Sequence, residues 1–138
     1  MGGTAVTGSG LLRQSGVKII IHAVGPMWIN GKCGEEDELT SAVRNTLKTA
    51  ENYGCHSVAI PAISSGIFGF PKRLCAKTLF DTVETFARDA KAKKIYIEYL
   101  QAVRFTNFDK ETYDIIQQEF QRRYIAMETT YRPRKFYL

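Results

Sequence analysis

Short apolar runs alternate along the chain with stretches in which apolar residues recur every three or four positions. The clearest run, residues 17–24, is rich in β-branched residues and is closed by Gly25 and Pro26, so it predicts a buried strand. Because both of its faces are apolar, we expect an interior position in a sheet that helices cover. A weaker strand is predicted before it, at residues 4–7. His22, within the apolar run, is interpreted as a structural histidine and not as a catalytic base.

The amphipathic stretches predict three helices. The first follows the acidic residues 35–38, whose charge suits a helix N-terminus, and ends at Gly54, where a left-handed residue is tolerated without a Cβ. Its periodicity places Glu51 on the polar side. The second helix is predicted to begin at Pro71, and the third is predicted to be capped by Asp109.

Between these helices, residues 57–63 predict another short apolar strand. Two β-prone pieces, residues 95–99 and 102–105, compete to be the next strand, and we favour the later piece. Strands that alternate with helices indicate a layered α/β domain with a largely parallel sheet. The chain of 138 residues suffices for one such domain, and residues 127–138 are expected to form a basic, loosely ordered tail.

Composition and charge add only a little to the prediction of fold and function. The formal net charge of +5 favours phosphate-bearing partners without choosing among them. The apolar runs fall far short of the roughly 20 residues that a membrane helix needs, so no membrane partner is expected. Three cysteines, Cys33, Cys55 and Cys75, show no CxxC spacing, which favours a reducing nuclear or cytoplasmic location.

The strongest functional signal is the loop between the strand at residues 57–63 and the second helix. It contains Gly66 and Gly69, at which the backbone can approach a ligand closely. Successive main-chain N–H groups beside a helix N-terminus form a site for phosphate oxygens. A Walker-type lysine is missing, so amides are expected to hold the phosphates instead of a side-chain cation with magnesium. The competing interpretation is a connection that merely turns the chain, with Ile67, Phe68 and Phe70 filling the core.

These motifs together resemble those of macrodomains, which are ADP-ribose-binding α/β modules. Residues 60–71 are similar to the phosphate-loop signature of that family, and residues 4–12, 19–26 and 104–109 match further stretches. The resemblance extends to about Gln121 and looks closest to macrodomains of poly-ADP-ribose polymerase relatives. It implies a three-layer α/β/α fold with a mixed, mostly parallel sheet over residues 1–126.

The resemblance also implies which residues bind the ligand. Ser65, Gly66 and Ile67 would present main-chain N–H groups to the diphosphate. Phe68 would pack beside the distal ribose, and Phe108 would stack on adenine unless it serves as an apolar contact at the helix entry. The remaining loop residues in the expected ligand-binding set are Ser64, Gly69 and Phe70. No catalytic residue, metal or cofactor is expected.

Macrodomains begin with a segment that this chain is expected to lack. That segment holds two strands, an aspartate for the adenine amine, an asparagine-rich stretch and a glycine-rich loop. Its loss removes the usual setting for water activation, so an ADP-ribosyl hydrolase is not favoured. In the family, one of the lost strands lies between those matching residues 17–24 and 57–63. We therefore expect an N-terminally truncated sheet that either closes up or forms a homo-oligomer through its unpaired edges.

Together the residues and the resemblance favour a binding module for ADP-ribose or for mono- or poly-ADP-ribosylated proteins. The alternative is a degenerate domain without a ligand, which serves as a protein-interaction or structural domain. Hydrolase activity is less favoured, and nucleic-acid binding through the basic surface has no motif to support it.

Overall fold

The computed structural model describes residues 3–107, 109–124 and 136–137. Strands and α-helices alternate along this part of the chain. Their bounds are β1 (Thr4–Gly8), β2 (Ile19–Ala23), α1 (Glu35–Asn52), β3 (Ser57–Ile60), α2 (Lys72–Lys91), β4 (Ala102–Phe105), α3 (Lys110–Tyr124) and β5 (Phe136–Tyr137). A short 3-10 helix, Gly10–Ser15, connects β1 to β2 and was not predicted.

The described strands form two separate sheets. β1 and β2 pair antiparallel, with Thr4 opposite Ala23. β3, β4 and β5 form a parallel sheet in the order β3-β4-β5, with Ser57 opposite Ala102. Because β2 and β3 are not paired, the expectation that the sheet closes up is wrong for the described chain.

One apolar core lies between the helices and the strands, and Phe80 of α2 is near its centre. Its ring meets that of Phe105 on β4 edge-on, with 4.7 Å between centroids. The rings of Phe120 and Tyr124 on α3 lie 6.4 and 6.2 Å from it. These contacts hold α2, α3 and β4 together through a cluster of aromatic side chains, which contribute large buried areas.

The helices cover one face of the β3–β4 pair. Val103 and Phe105 are buried on the helix side. The alternate residues Ser57, Ala59 and Arg104 are exposed on the opposite side, as expected when successive side chains point to opposite faces of a strand. His22 of β2 is likewise exposed, so the expectation that helices cover both faces of β2 does not hold over the described residues.

Polar contacts tie the three helices to one another. Arg44 of α1 forms an ion pair with Asp89 of α2, with 2.8 Å between Nη2 and Oδ2. Arg123 of α3 is mostly buried and pairs with three carboxylates. The partners of Arg123 are Asp81 and Glu84 on α2 and Glu119 on α3. A guanidinium with five donors can satisfy several carboxylates at once, so Arg123 fixes the angle between α2 and α3.

Glu51 of α1 is buried, in contrast to the prediction that it lies on the polar side. Its carboxylate accepts hydrogen bonds from the main-chain N–H groups of Glu98, Tyr99 and Leu100. Burial alone raises the pKa of Glu51, but the hydrogen bonds from these N–H groups lower it by more. The pKa of Glu51 is therefore below its ordinary value. The segment at residues 95–99 therefore binds a side chain instead of joining a strand ladder.

Most of the predicted elements are present. β4 forms where the later of the two competing pieces was favoured, and Asp109 caps α3 by accepting from the N–H and hydroxyl of Thr112. Gly54 has a φ of +69° two residues after the last residue of α1, as predicted for a helix-ending glycine. Within the expected tail at residues 127–138, Phe136–Tyr137 pair with β4, and residues 125–135 and 138 lie outside the described part, so the loose order of the tail stays a prediction. No helix in that part is long and apolar enough to cross a membrane.

Candidate functional site

The predicted phosphate loop follows the C-terminal end of β3 and leads into α2. In open α/β sheets, ligands bind beyond the carboxyl ends of the strands, so this is a favourable place for a site. Ser64 begins the loop with a φ of +66°, which is uncommon for a residue that carries a Cβ. The chain therefore turns sharply at Ser64 and runs over the N-terminus of α2.

Internal hydrogen bonds fix the loop at three of its N–H groups. Ser65 N donates to Ala62 O at 3.1 Å, and Gly69 N donates to Gly66 O at 2.9 Å. Phe70 N donates to Ser64 O at 2.9 Å. The Ser65 amide, expected to face the diphosphate, is thus already engaged within the loop.

By contrast, the main-chain N–H groups of Gly66, Ile67 and Phe68 have no acceptor within the described part of the chain. They lie in the loop that leads into α2, whose first turn receives no side-chain cap hydrogen bond. Helix N-termini carry partial positive charge, so the loop presents donors to an anion where the field also favours one.

The side chains of the loop separate into a buried anchor and an exposed tip. Phe70 is buried and meets Trp28 edge-on, with 5.0 Å between ring centroids. Ile67 is fully exposed, and Phe68 is 39% exposed. The competing interpretation, with all three side chains in the core, therefore holds for Phe70 alone.

The segment after β2 forms a wall beside this loop. Trp28 N donates to Phe68 O at 2.8 Å, which joins the two segments. A Cβ on Gly25 would lie 2.3 Å from Ser64 Oγ, so only glycine fits there without a shift of the Ser64 and Ile63 side chains. Met27 and Ile29 are exposed on this wall, and together with Ile67 and Phe68 they give the loop an apolar surround.

Ser64, Ser65 and Cys75 carry hydroxyl or thiol groups in this region, and Ser65 Oγ donates to Ala62 O at 2.7 Å. Ser64 Oγ is buried and has no hydrogen-bond partner among the residues that the structure describes. Cys75 Sγ donates to Ile63 O at 3.4 Å, and burial raises the pKa of this thiol to about 12. The thiol is therefore protonated at neutral pH, and its chemistry is structural.

Glu35 holds the wall in place, a role that the sequence pattern did not reveal. Its carboxylate is buried, and Oε1 accepts from the N–H groups of Ile29, Asn30 and Gly31 at 3.0 Å each, while Oε2 accepts from Cys33 N. Burial alone raises the pKa of Glu35, but the main-chain donors outweigh it and lower the pKa from 4.5 to about 2. An acidic residue directly at the start of a helix, after a glycine-containing loop, is the sequence signal that could have identified it.

Other predicted site residues are placed as follows. Phe108 lies outside the described residues. Its neighbour Asn107 accepts a hydrogen bond from Ala62 N at 3.0 Å, which brings the end of β4 beside the loop. His22 Nε2 lies 2.9 Å from Thr7 Oγ1 on the exposed side of the β1–β2 pair. The described residues contain no group of three His, Cys, Asp or Glu side chains placed to hold a metal ion.

A groove of about 870 Å³ lies next to the loop, between β2 and β3. It reaches Pro61 and Ile63 where β3 ends, and none of its lining residues belongs to residues 64–70. The groove and the loop are therefore neighbouring features and not one cavity.

Comparison with known proteins relates this fold to one family. A family profile described as the Macro domain matches residues 1–79. An O-acetyl-ADP-ribose deacetylase of Cronobacter sakazakii is 34% identical over 119 residues, which cover 83% of this chain and 62% of that protein. A macro domain-containing protein of Caldanaerobacter subterraneus is 32% identical over 120 residues, 87% of this chain and 62% of that one. The chain thus spans about three fifths of the length of these relatives.

Solved structures agree with this relation. A mutant of the Oceanobacillus iheyensis macrodomain with ADPR superposes with a TM-score of 0.73 at 25% identity, covering 88% of this chain and 59% of that one. The Trypanosoma brucei macrodomain in complex with ADP-ribose gives a TM-score of 0.71 at 19% identity, with coverages of 86% and 45%. The predicted α/β fold is confirmed by these likenesses.

Proposed function

Because the chain belongs to the macro domain family, we propose that it is a binding module for ADP-ribose. Main-chain N–H groups of the loop between β3 and α2 hold the diphosphate. The observation that carries this proposal is the run of three successive N–H groups, at Gly66, Ile67 and Phe68, without an acceptor in the described chain. Donors that are already in place before the ligand arrives require little ordering on binding.

The similar macrodomain of Oceanobacillus iheyensis, in the form with ADPR, supports the choice of this ligand. In our proposal Phe68 packs beside the distal ribose, and Phe108 stacks on adenine. Ser64 shapes the turn into the loop at a φ of +66°, and its buried hydroxyl has no hydrogen-bond partner among the described residues. Ser65, Gly69 and Phe70 act by shaping the loop, because their N–H groups are bound internally.

The same site suits ADP-ribose attached to a protein. The diphosphate of such a modification needs the same donors, and the exposed Met27, Ile29 and Ile67 offer apolar surface to the attached chain. We therefore propose mono- or poly-ADP-ribosylated proteins as partners, encountered in the nucleus or the cytoplasm. The finer resemblance to poly-ADP-ribose polymerase relatives stays a prediction, since the similar proteins of Cronobacter sakazakii and Caldanaerobacter subterraneus are bacterial.

Titration calorimetry with ADP-ribose, ADP and adenosine tests the role of the diphosphate. Charge-assisted hydrogen bonds to phosphate oxygens contribute more than neutral ones, so adenosine should bind at least about tenfold more weakly than either diphosphate. Equal affinities for adenosine and ADP would place the recognition elsewhere. An absence of heat with all three ligands at millimolar concentration would contradict the proposal as a whole.

A second candidate is hydrolysis of an ester on ADP-ribose, which the name of the Cronobacter sakazakii relative favours. The loop offers the Ser64 hydroxyl, but the one thiol beside it, Cys75, is kept protonated by burial. Catalysis of this kind needs a base within hydrogen-bond reach of the attacking group. We expect no acetate release from O-acetyl-ADP-ribose above the rate in buffer; release that Ser64→Ala abolishes would favour the enzyme instead.

A further inference from the structure

The end of the molecule away from the candidate phosphate loop brings together segments that are distant in the sequence. Lys18, before β2, donates from Nζ to the carbonyl of Tyr53, directly after α1, at 2.7 Å. Glu51, in the last turn of α1, accepts from Tyr99 N, before β4. The loop at residues 64–70 follows the end of β3, and β4 runs parallel to β3. These contacts therefore lie at the opposite edge of the sheet from the proposed ADP-ribose site.

The segment between α2 and β4 crosses this end of the molecule. Lys93 turns the chain after α2 with a φ of +59°, which is uncommon for a residue that carries a Cβ. Ile95 and Ile97 pack against the apolar core and anchor the segment. Tyr96 lies between these two anchors and is 79% exposed. The segment is thus held in place while the ring of Tyr96 faces solvent.

Three exposed tyrosines gather at this end. Besides Tyr96, the side chains of Tyr53 and Tyr99 are 49% and 41% exposed. None of the three rings stacks on another aromatic ring of the described residues, and none of their hydroxyl groups has a partner there. Single exposed apolar residues are ordinary on a protein surface, but several aromatic rings at one place offer flat faces to a ligand.

The charge of this end is one-sided. Glu98 is the one acidic residue within residues 90–101. The carboxylate of Glu51 is buried, and main-chain N–H groups already bind it. Four lysines at this end are exposed, and none forms an ion pair with a carboxylate of the described residues: Lys18, Lys91, Lys93 and Lys94. A polyanion is therefore favoured here over a neutral or cationic partner.

We propose that this end of the molecule binds single-stranded nucleic acid. The tyrosine–lysine strip, formed by Tyr53, Tyr96 and Tyr99 with the four lysines, runs from the end of α2 to the start of β2. Its rings stack on bases, and its ammonium groups neutralise the neighbouring phosphates. Stacking on aromatic side chains along a basic track binds single strands without reading their sequence.

A single strand suits the strip better than a duplex or an acidic peptide. In a duplex the base faces are stacked on one another, so tyrosine rings cannot reach them. A peptide rich in Asp and Glu would satisfy the lysines but would leave the three rings without flat partners. No motif in the sequence reveals the strip, because only the fold brings residues 18, 53 and 91–99 together.

Fluorescence anisotropy at low salt compares a labelled deoxythymidine dodecamer with a duplex of two complementary dodecamers. The strip should bind the single strand at least about fivefold more tightly, because only its bases can stack on the tyrosines. Charge alone would favour the duplex, whose phosphates are more densely spaced. Equal or tighter binding of the duplex, or no binding of the single strand, would overturn the proposal.

Tyr96→Ala tests the stacking. Loss of one base–aromatic contact should weaken binding of the single-stranded dodecamer at least about fivefold. Tyr113→Ala is the matched control, because Tyr113 is also exposed but lies in the first turn of α3, which follows the end of β4. The melting temperatures show whether both variants are folded. Equal affinities of the two variants would contradict a role of the strip.

The lysines are tested by the salt dependence of binding. In the double variant Lys93→Gln with Lys94→Gln, the slope of log affinity against log salt should become shallower by about 0.7 for each lysine removed. Lys110→Gln, an exposed change at the start of α3, should leave the slope as it is. An unchanged slope in the double variant would overturn the proposed phosphate contacts.

Two competitors identify the site and the ligand class. ADP-ribose at saturation should leave the affinity for the dodecamer unchanged, because the strip and the loop lie at opposite edges of the sheet. Displacement of the dodecamer by ADP-ribose would place the nucleic acid at the loop and overturn the proposal. A polyglutamate peptide of equal charge should compete poorly, and displacement at the same concentration as unlabelled dodecamer would mean that charge alone is recognised, which also overturns it.

Discussion

At the scale of single residues, two positions determine the shape of the candidate site without contacting the proposed ligand. Gly25 lets the segment after β2 approach Ser64, since a Cβ there would lie 2.3 Å from Ser64 Oγ and 2.5 Å from Ile63 Cγ2. Glu35 binds the N–H groups of the wall that contains Trp28. The sequence marks Gly25 as the end of a strand, but the close approach depends on a contact 39 positions away in numbering, which no local pattern contains.

We predict that Gly25→Ala displaces the loop at Ser64. Overpacking of this kind should lower the free energy of unfolding by about 1–3 kcal/mol and weaken ADP-ribose binding at the same time. Gly8→Ala is the matched control, because a Cβ at Gly8 meets nothing within 4 Å. Urea unfolding measures the stability and calorimetry measures the affinity for ADP-ribose. Equal results for the two variants would show that the close contact between Gly25 and Ser64 does not exclude a larger side chain at position 25.

The second prediction concerns acid sensitivity. The pKa of Glu35 is lowered from 4.5 to about 2, so its carboxylate stabilises the fold fully above about pH 4.5, and this contribution disappears as the pH falls toward 2. Glu35→Gln should be less stable than the wild type at neutral pH, and the difference should shrink through this window. Urea unfolding at a series of pH values measures it, with the exposed Glu36→Gln as control. A difference that stays constant down to about pH 2 would contradict the role of the carboxylate.

At the scale of elements, sequence periodicity identified the helices and the strands but not the partners of the segment before β4. Residues 95–99 have the composition of a strand, yet the N–H groups of Glu98 and Tyr99 within this segment, and of Leu100 after it, bind the Glu51 carboxylate. Helical periodicity placed Glu51 on the polar side because it assumes that this side faces water. Here a loop folds over that side, and the pattern carries no information about it.

Removal of the Glu51 carboxylate should release this loop. Glu51→Ala leaves the N–H groups of Tyr99 and Leu100 without an acceptor, at a cost of about 1–3 kcal/mol for each group that stays buried. Amide exchange at Tyr99 and Leu100 should accelerate, while exchange in β4 changes less. Lys48→Ala, an exposed change on the same helix, should leave both the stability and the exchange rates close to those of the wild type. Unaltered exchange at Tyr99 would contradict this account.

At the scale of the whole molecule, the α/β fold and the place of the loop could be predicted, because the order of strands and helices and the loop motif are local properties. Which main-chain N–H groups of the loop are free could not be predicted. Whether the amides of Ser65, Gly66 and Ile67 are free depends on carbonyl positions within the turn, and only the Ser65 amide proved to be engaged. The separation of β2 from β3 was foreseen as an unpaired edge, but its form as an open groove required coordinates.

The most direct test of the central claim is titration calorimetry with ADP-ribose on Gly66→Glu and Gly66→Gln. A Cβ at Gly66 meets nothing within 4 Å, so both variants should fold, and they differ mainly by one negative charge beside the proposed diphosphate. We predict that Gly66→Glu binds at least about tenfold more weakly than Gly66→Gln, since an anion repels the phosphates. Equal affinities of the two variants would contradict a diphosphate held at this loop.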